Sequence, residues 1–189
     1  MVKIMNIGID IDDTITNSTE VIKEYVIKYD TEYSNSKELI NNLDKIVRGF
    51  KGSNIIERFF IDYCLEMMAK VKVKEHASKV ISNLRKKGNK VFIITARSDK
   101  YYGDATKYIK EYLDKNNIEY DVIIHSQVHK LKACKENKID IMFDDAVDTC
   151  DTLNRNGIKA YLFTSEINKD LPTISPRVDS WYEIEKLFE

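Results

Sequence analysis

The sequence predicts an α/β protein built on a parallel sheet, with a helical insertion after its first strand. Three observations carry that prediction. The chain opens on a short apolar strand around Ile4 to Ile9 that runs straight into the carboxylates of Asp10, Asp12 and Asp13. From Glu75 onward, apolar runs of four or five residues alternate with helical stretches, the pattern of strand–helix–strand units with right-handed crossovers. Between these regions, from Asn17 to about Val73, the chain reads as helices alone and breaks the alternation.

Asn17 and Glu20 stand at capping-box spacing, so the first insertion helix is expected to begin there, with Val21, Ile22, Tyr25, Val26 and Tyr29 on one face. A second helix is expected over 36–47, carrying Leu39, Ile40, Leu43, Ile46 and Val47, before the glycines of the 48–53 stretch break it. A third begins near Asn54, with Asn54 and Glu57 as its capping pair and a broad apolar stripe. Lys70 to Lys74 alternates enough to be a linker or a short strand. In the second half, a helix over about 75–87 stops at Gly88, a residue suited to the left-handed position that ends helices. Val91-Phe92-Ile93-Ile94 is apolar throughout, as a strand buried on both faces must be. Strands are also expected over 121–124, 139–143 and 160–163, with helices between them and a last helix near 181–188. No internal repeat or low-complexity tract interrupts the pattern.

A length of 189 residues suffices for one good core, or one core and a small lobe. Hydrophobic residues make up 43% and charged residues 32%, as in ordinary globular proteins. The net charge of −1 gives no electrostatic reason to bind nucleic acid or an anionic membrane surface. Asp10 to Asp13 interrupts the first apolar stretch before it reaches signal-peptide length, and no run approaches a membrane span. Cys64, Cys134 and Cys150 show no C-x-x-C spacing and read as reduced thiols, without zinc. The expectation is a cytoplasmic protein, a monomer or a homodimer.

The chemistry gathers where strands end, because ligands of an open parallel sheet bind beyond the carboxyl ends of its strands. Asp10 and Asp12 project to the same side of an extended chain. Two like charges ~4 Å apart at an effective dielectric of ~20 repel by about 4 kcal/mol. A cation relieves that repulsion, and magnesium, which takes hard oxygen ligands from one or two carboxylates plus a substrate phosphate, is the natural candidate. A second pair, Asp144 and Asp145, closes the 139–143 strand, with Asp148 just beyond. Thr95-Ala96-Arg97-Ser98 puts a hydroxyl at another strand end, and the planar fork of Arg97 suits phosphate oxygens. A helix cap and a surface ion pair are the plainer readings of Thr95 and Arg97. His125 and His129 lie at four-residue spacing on a segment that reads as loop, so they are expected to be exposed or satisfied by neighbours. Lys130 and Lys132 follow them.

Together, Asp10-x-Asp12-x-Thr14, Thr95, Lys130 and Asp144-Asp145 resemble the four motifs of the haloacid dehalogenase (HAD) superfamily, in that superfamily's order. The resemblance implies a Rossmann-like three-layer core, residues 1–16 and 74–189, with residues 17–73 inserted as a helical cap. It implies that Asp10 is the nucleophile and Asp12 the general acid/base, with Thr95, Ala96 and Arg97 holding the substrate phosphate. Lys130, preferred over Lys132, would offset the charge of nucleophile and phosphate. Magnesium would be held by Asp10, the backbone carbonyl of Asp12 and Asp144, with Asp145 orienting or acting through water. Asp148, at the spacing of an alternative motif, ranks third, and Asp13 is expected to be a turn residue.

An acid at Asp12 favours a phosphatase over the dehalogenase and phosphonatase members. The segments 8–16, 93–97 and 143–149, and the closing 178–184, are similar to bacterial nucleotidases related to the cytosolic 5'(3')-deoxyribonucleotidases. The implied activity is hydrolysis of a small phosphomonoester, a (deoxy)nucleoside monophosphate, through an aspartyl-phosphate. A sugar phosphate or other small metabolite is the alternative. A receiver-type phosphoprotein fits less well, since the lysine here precedes the second acidic cluster and the cap has no counterpart there. Arg48, Phe50, Lys51, Phe59 and Tyr63 are the cap residues that could set substrate choice. Phe59 and Tyr63, with Met67 and Met68, are also expected simply to pack the cap's own core.

Overall fold

The first strand, β1 (Asn6–Ile9), lies inside a six-stranded parallel sheet, as the alternating pattern requires. β2 (Lys90–Ile94) pairs along one edge of it and β4 (Ile141–Asp144) along the other. β3 (Val122–Ile124) lies outside β2, while β5 (Lys159–Phe163) and the two-residue β6 (Arg177–Val178) follow β4. The order is therefore β3-β2-β1-β4-β5-β6. The chain winds outward from β1 to β3 and then returns to β1's other side, so the topological switch point falls between β1 and β4. That is where open sheets form their ligand crevice. The register sets Ile9 level with Phe143, so Asp10 and Asp144, each one residue further on, leave the sheet side by side. The computed structural model describes residues 4–34, 37–43, 46 and 53–189, with the side chains of residues 33 and 34 outside it.

Burial is nearly continuous along β1, β2, β4 and β5 because both faces of the sheet are covered, and successive side chains alternate between the two faces. Ile7, Ile9, Val91, Ile93 and Phe143 pack on one face against α4 (Ala77–Lys86), α6 (Ala105–Lys115) and α9 (Trp181–Lys186). Phe92, Ile94, Met142, Ala160 and Leu162 pack on the other against α7 (Leu131–Glu136) and α8 (Val147–Arg155). A short α5 (Asp99–Tyr102) precedes α6. Gly88, with φ of 91°, ends α4 in the left-handed conformation expected of it. β6 has no signature of its own, since two residues are too few to show alternation. The three cysteines are buried and unbridged.

Gly8 lies on the second face, where a Cβ would come within 2.5 Å of Met142 Sδ and 3.3 Å of Ile139 and Ile94. The thioether can swing away but the two isoleucines hold the remaining space. Gly8→Ala is therefore expected to cost about 1–3 kcal/mol, read as a lowered urea midpoint at unchanged m-value.

Among the described residues, the insertion holds α1 (Ser18–Tyr29), a π-helical turn (Asp30–Ser34), α2 (Glu38–Asn41) and α3 (Asn54–Lys70). Its apolar stripes close on each other, with Tyr25, Val26, Leu39, Ile56, Phe59 and Met67 forming a separate buried cluster. Its two ends meet: Thr16 and Val73 form an antiparallel bridge, Asn17 N–H donates to Lys72 O, and Lys74 N–H donates to Ile15 O. The 70–74 stretch is thus the return half of a short stem.

The helices begin where expected, at Ser18 and Asn54, but their capping bonds differ. Asn17 makes no side-chain cap bond. Asp13, with φ of 54°, turns back instead, so that its carboxylate accepts both the backbone N–H (3.0 Å) and the hydroxyl of Thr19. Ser53 rather than Asn54 caps α3, accepting from Ile56 N–H at 3.4 Å. Of the helix expected over 36–47, the described part is Glu38–Asn41. Val47, Arg48, Phe50 and Lys51 lie outside the described residues.

Candidate active site

Three of the expected carboxylates and one lysine converge at the switch point. Asp10 ends β1, its backbone N–H held by Phe143 O at 2.9 Å, and Asp144 ends β4. Lys130, the residue just before α7, reaches between them, donating to Asp10 Oδ1 and, at 2.6 Å, to Asp144 Oδ2. All three side chains are buried. Lys132 points elsewhere, to Glu136 at 3.8 Å, with its side chain 83% exposed. Asp145 completes the cluster, since carboxylate oxygens of Asp10, Asp144 and Asp145 lie within 4.8 Å of one another. Asp148 is exposed and stands outside this group of three.

Burial pushes the Asp10 carboxyl up to about 7, and the charges of Asp144 and Asp12 add to the effect against the pull of Lys130. Burial likewise drives Asp145 well above the carboxylate range, reinforced by Asp144 and Asp10. Lys130 is held protonated, because its two carboxylates outweigh its own burial. Carboxylates therefore outnumber the cation among them. The donor set is hard oxygen throughout, with neither cysteine nor histidine in the group. Such a set fits a divalent cation of the magnesium type and does not fit zinc.

Asp12 stands apart from this cluster. Arg97 grips it bidentately, Nε to Oδ2 at 2.9 Å and Nη2 to Oδ1 at 2.8 Å. Ser18 Oγ adds a bond to Oδ1 at 2.6 Å. The Asp12 side chain keeps 43% of its surface open although protein surrounds it closely. Burial is the largest single influence and raises its pKa, but Arg97 and Ser18 together outweigh it and hold the carboxyl below its usual range. Arg97 itself is no surface ion pair, being only 4% exposed.

Thr95 follows β2 and is buried, and its hydroxyl accepts the Arg97 backbone N–H at 3.3 Å. Ala96, between them, is exposed. The loop is pinned by Ser126 N–H on Arg97 O (2.7 Å) and Gln127 N–H on Thr95 O (2.9 Å). The His125 ring meets the Ser126 hydroxyl at 2.9 Å, its carbonyl accepts from Gln127 Nε2 at 3.0 Å, and His129 is exposed, as expected of a loop.

Four nearby residues take parts that local pattern does not show. Ser18 and Thr19, in the first turn of α1, bond Asp12 and Asp13 respectively. Lys74, half-buried at the foot of the stem, feels the charges of Asp13 and Asp145 and sits 5.1 Å from the Phe163 ring centre. Trp181 Nε1 donates to Thr14 O at 3.0 Å, bracing the loop after β1 from the last helix. Only a pairing between distant segments reveals such residues.

Residues 3–188 match the family model of the 5' nucleotidase, deoxy (pyrimidine), cytosolic type C protein. No curated protein sequence matches the chain. Among solved structures, the chain is similar to a predicted phosphoglycolate phosphatase from Haemophilus somnus, at 12% identity, TM-score 0.68 and 100% coverage of both chains. It is similar to a HAD-superfamily hydrolase of subfamily IA from Geobacter sulfurreducens, at 13% identity and TM-score 0.63, covering 98% of this chain and 97% of that one. A third is CbbY from Rhodobacter sphaeroides in complex with xylulose-(1,5)-bisphosphate, at 13% identity, TM-score 0.63 and 96% coverage of each. At these identities the structural likeness shows the fold. No described helix is long and apolar enough to cross a membrane.

Proposed function

The chain belongs to the 5' nucleotidase, deoxy (pyrimidine), cytosolic type C family of the HAD hydrolases, and from that premise we propose a magnesium-dependent phosphomonoesterase working through an aspartyl-phosphate. The observation that carries the reading is the buried Asp10–Lys130–Asp144 bridge beside Asp145. It sets a nucleophilic carboxylate next to a fixed cation and an oxygen-rich cation site. The core is assigned to residues 1–16 and 74–189, and the helical cap to residues 17–73.

Asp10 attacks phosphorus in line and the bond to the ester oxygen breaks, while Asp12, which Arg97 and Ser18 hold toward its ionised form, passes to the departing alkoxide the proton that a monoanionic ester brings into the site. Water then attacks the aspartyl-phosphate, Asp12 takes its proton, and Asp10 is regenerated as inorganic phosphate leaves. Lys130 offsets the negative charge of the transferring group, where fixed electrostatics do most of the catalysis. The Thr95 hydroxyl and the Ala96 N–H are the phosphate donors of this scheme. Arg97, its fork already engaged by Asp12, has only Nη1 left to offer an anion. Magnesium, when bound, supplies positive charge at the phosphoryl oxygens. Its ligands would be Asp10, the Asp12 carbonyl and Asp144, with Asp145 acting through water.

Sugar phosphates and similar small metabolites are placed ahead of nucleoside monophosphates. Among the described residues, the cap aromatics a nucleobase could stack on are engaged with one another: Phe59 is fully buried and packs against Tyr29 (5.6 Å between ring centres), Phe60 (5.2 Å) and Tyr63 (5.8 Å). The ligand named for the CbbY structure is a sugar bisphosphate. The nucleotide reading remains second, favoured by the family model. Buried, unbridged cysteines suit a cytoplasmic setting. The test is a panel of sugar phosphates and 5'- and 3'-(deoxy)nucleoside monophosphates with magnesium. Higher kcat/KM on the sugar phosphates is expected. Preference for nucleotides reverses the order, and no hydrolysis of either class overturns the phosphatase reading.

A further inference from the structure

We infer that Arg97 and Ser18 are positioning residues for Asp12, aiming its carboxylate from the core on one side and from the first turn of the insertion on the other. The inference rests on the reading of Asp12 as general acid/base. Arg97 follows β2 at a point where a phosphate ligand is expected, yet two nitrogens of its fork are engaged, Nε and Nη2 meeting the two oxygens of Asp12 at 2.9 and 2.8 Å. A two-point contact of this kind fixes the plane of a carboxylate as well as its position. The remaining nitrogen, Nη1, is buried with no hydrogen-bond partner, so an incoming anion could meet at most this one nitrogen and not the two-point fork. The rings of Tyr102 and Tyr112 lie 6.0 and 5.7 Å from the guanidinium carbon and hold the fork in place.

Ser18 acts from the other side. Its hydroxyl lies 2.6 Å from Asp12 Oδ1 and 2.8 Å from the Thr16 hydroxyl, which also lies 3.0 Å from Ile11 O. Two hydroxyl protons serve these three contacts. The strongest arrangement runs Thr16 to Ser18 to Asp12, because it ends on a carboxylate. Ser18 is the first residue of α1 and Thr16 is bridged to Val73, so the chain of bonds ties Asp12 to both ends of the insertion's stem. Asp12 follows β1 on a turn and its side chain is 43% open, so without these bonds it has room to leave the proton-transfer position. A displacement of ~1 Å at a reacting group can cost roughly 10²-fold in rate.

The test compares two esters that differ in their need for an acid. An alkyl phosphate that the enzyme hydrolyses requires protonation of its leaving oxygen, whereas p-nitrophenyl phosphate largely does not. Ser18→Ala is expected to lower kcat/KM on the alkyl phosphate about 10-fold and Arg97→Lys about 100-fold, with p-nitrophenyl phosphate changed by less than about 3-fold. Ser18→Thr restores most of the loss. Inhibition by inorganic phosphate stays within about 2-fold of wild type in both variants, and Ser18→Ala adds nothing on an Asp12→Asn background. Equal losses on both esters, accompanied by weakened phosphate inhibition, make Arg97 a phosphate ligand and overturn the inference. Variants that match wild type on both esters, while Asp12→Asn shows the leaving-group dependence, overturn it also and leave the acid/base reading intact. An Asp12→Asn enzyme with no such dependence sinks the acid/base reading itself. Ser18→Ala removes one oxygen, so the test stands even where the buried Arg97 variants fold poorly.

Discussion

Asp10→Asn is expected to lower kcat with magnesium by at least ~10³-fold on every ester, without loss of fold. The amide keeps the shape of the carboxylate and can still accept from Lys130, but it cannot attack phosphorus. Stability moves the other way from activity. The raised pKa of Asp10 means that metal-free folded protein binds a proton more tightly there than the unfolded chain does. Between pH ~4 and about 7 the folded state therefore holds more protons, and its stability falls as pH rises through that window. The Asn variant lacks this slope. At pH 8, without metal, it should melt no lower than wild type, and the gap should close toward pH 4. Thermal melts across pH check the sign, and steady-state assays check the loss. Appreciable turnover in the variant would remove Asp10 from the nucleophile's role.

Lys130→Met should cost the metal-free protein about 3–5 kcal/mol, the usual penalty for stripping the partner from a buried charge. At roughly 2–4 °C per kcal/mol for a chain of this size, the melting temperature falls by about 6–20 °C. The reason is local. Lys130 bonds Asp10 and Asp144 together, and without it the three close carboxylates lose the cation that bonds two of them directly. A divalent cation offsets the same charge, so magnesium should raise the melting temperature of the variant more than that of wild type. Activity falls with the loss of charge on the phosphoryl group, and magnesium does not restore it fully. A variant as stable as wild type without metal would show that the cluster sheds its charge by other means.

The sheet was legible because burial on both faces leaves its mark on β1, β2, β4 and β5. Val91 to Ile94 could only be a central strand, and Gly88 could only follow a helix. The carboxylates were legible for the opposite reason: Asp10, Asp12, Asp144 and Asp145 stand where an apolar run stops, and unopposed charge is conspicuous there. Lys130 was a different case. It lies 120 residues from Asp10, and among many lysines only resemblance picked it out. Arg97 was read as a phosphate donor because a guanidinium at a strand end suits phosphate; its engagement with Asp12, 85 residues away, leaves no trace in local pattern. The cap of α1 was misread for a related reason. Asn17 has the right spacing, but Asp13 adopts a left-handed turn that brings a charged acceptor under Thr19 first. β6 and the stem bridge at Val73 are too short to carry a period.

The central claim, that phosphate passes through Asp10, is tested most directly by trapping it there. Asp12→Asn protein is mixed with magnesium and p-nitrophenyl phosphate, whose leaving group needs little protonation, then quenched in acid and mapped by tandem mass spectrometry. Slowed hydrolysis should leave phosphate on Asp10, in an amount matching the first burst of nitrophenolate. A burst with no phosphate on the protein, or phosphate on any other residue, would contradict the account.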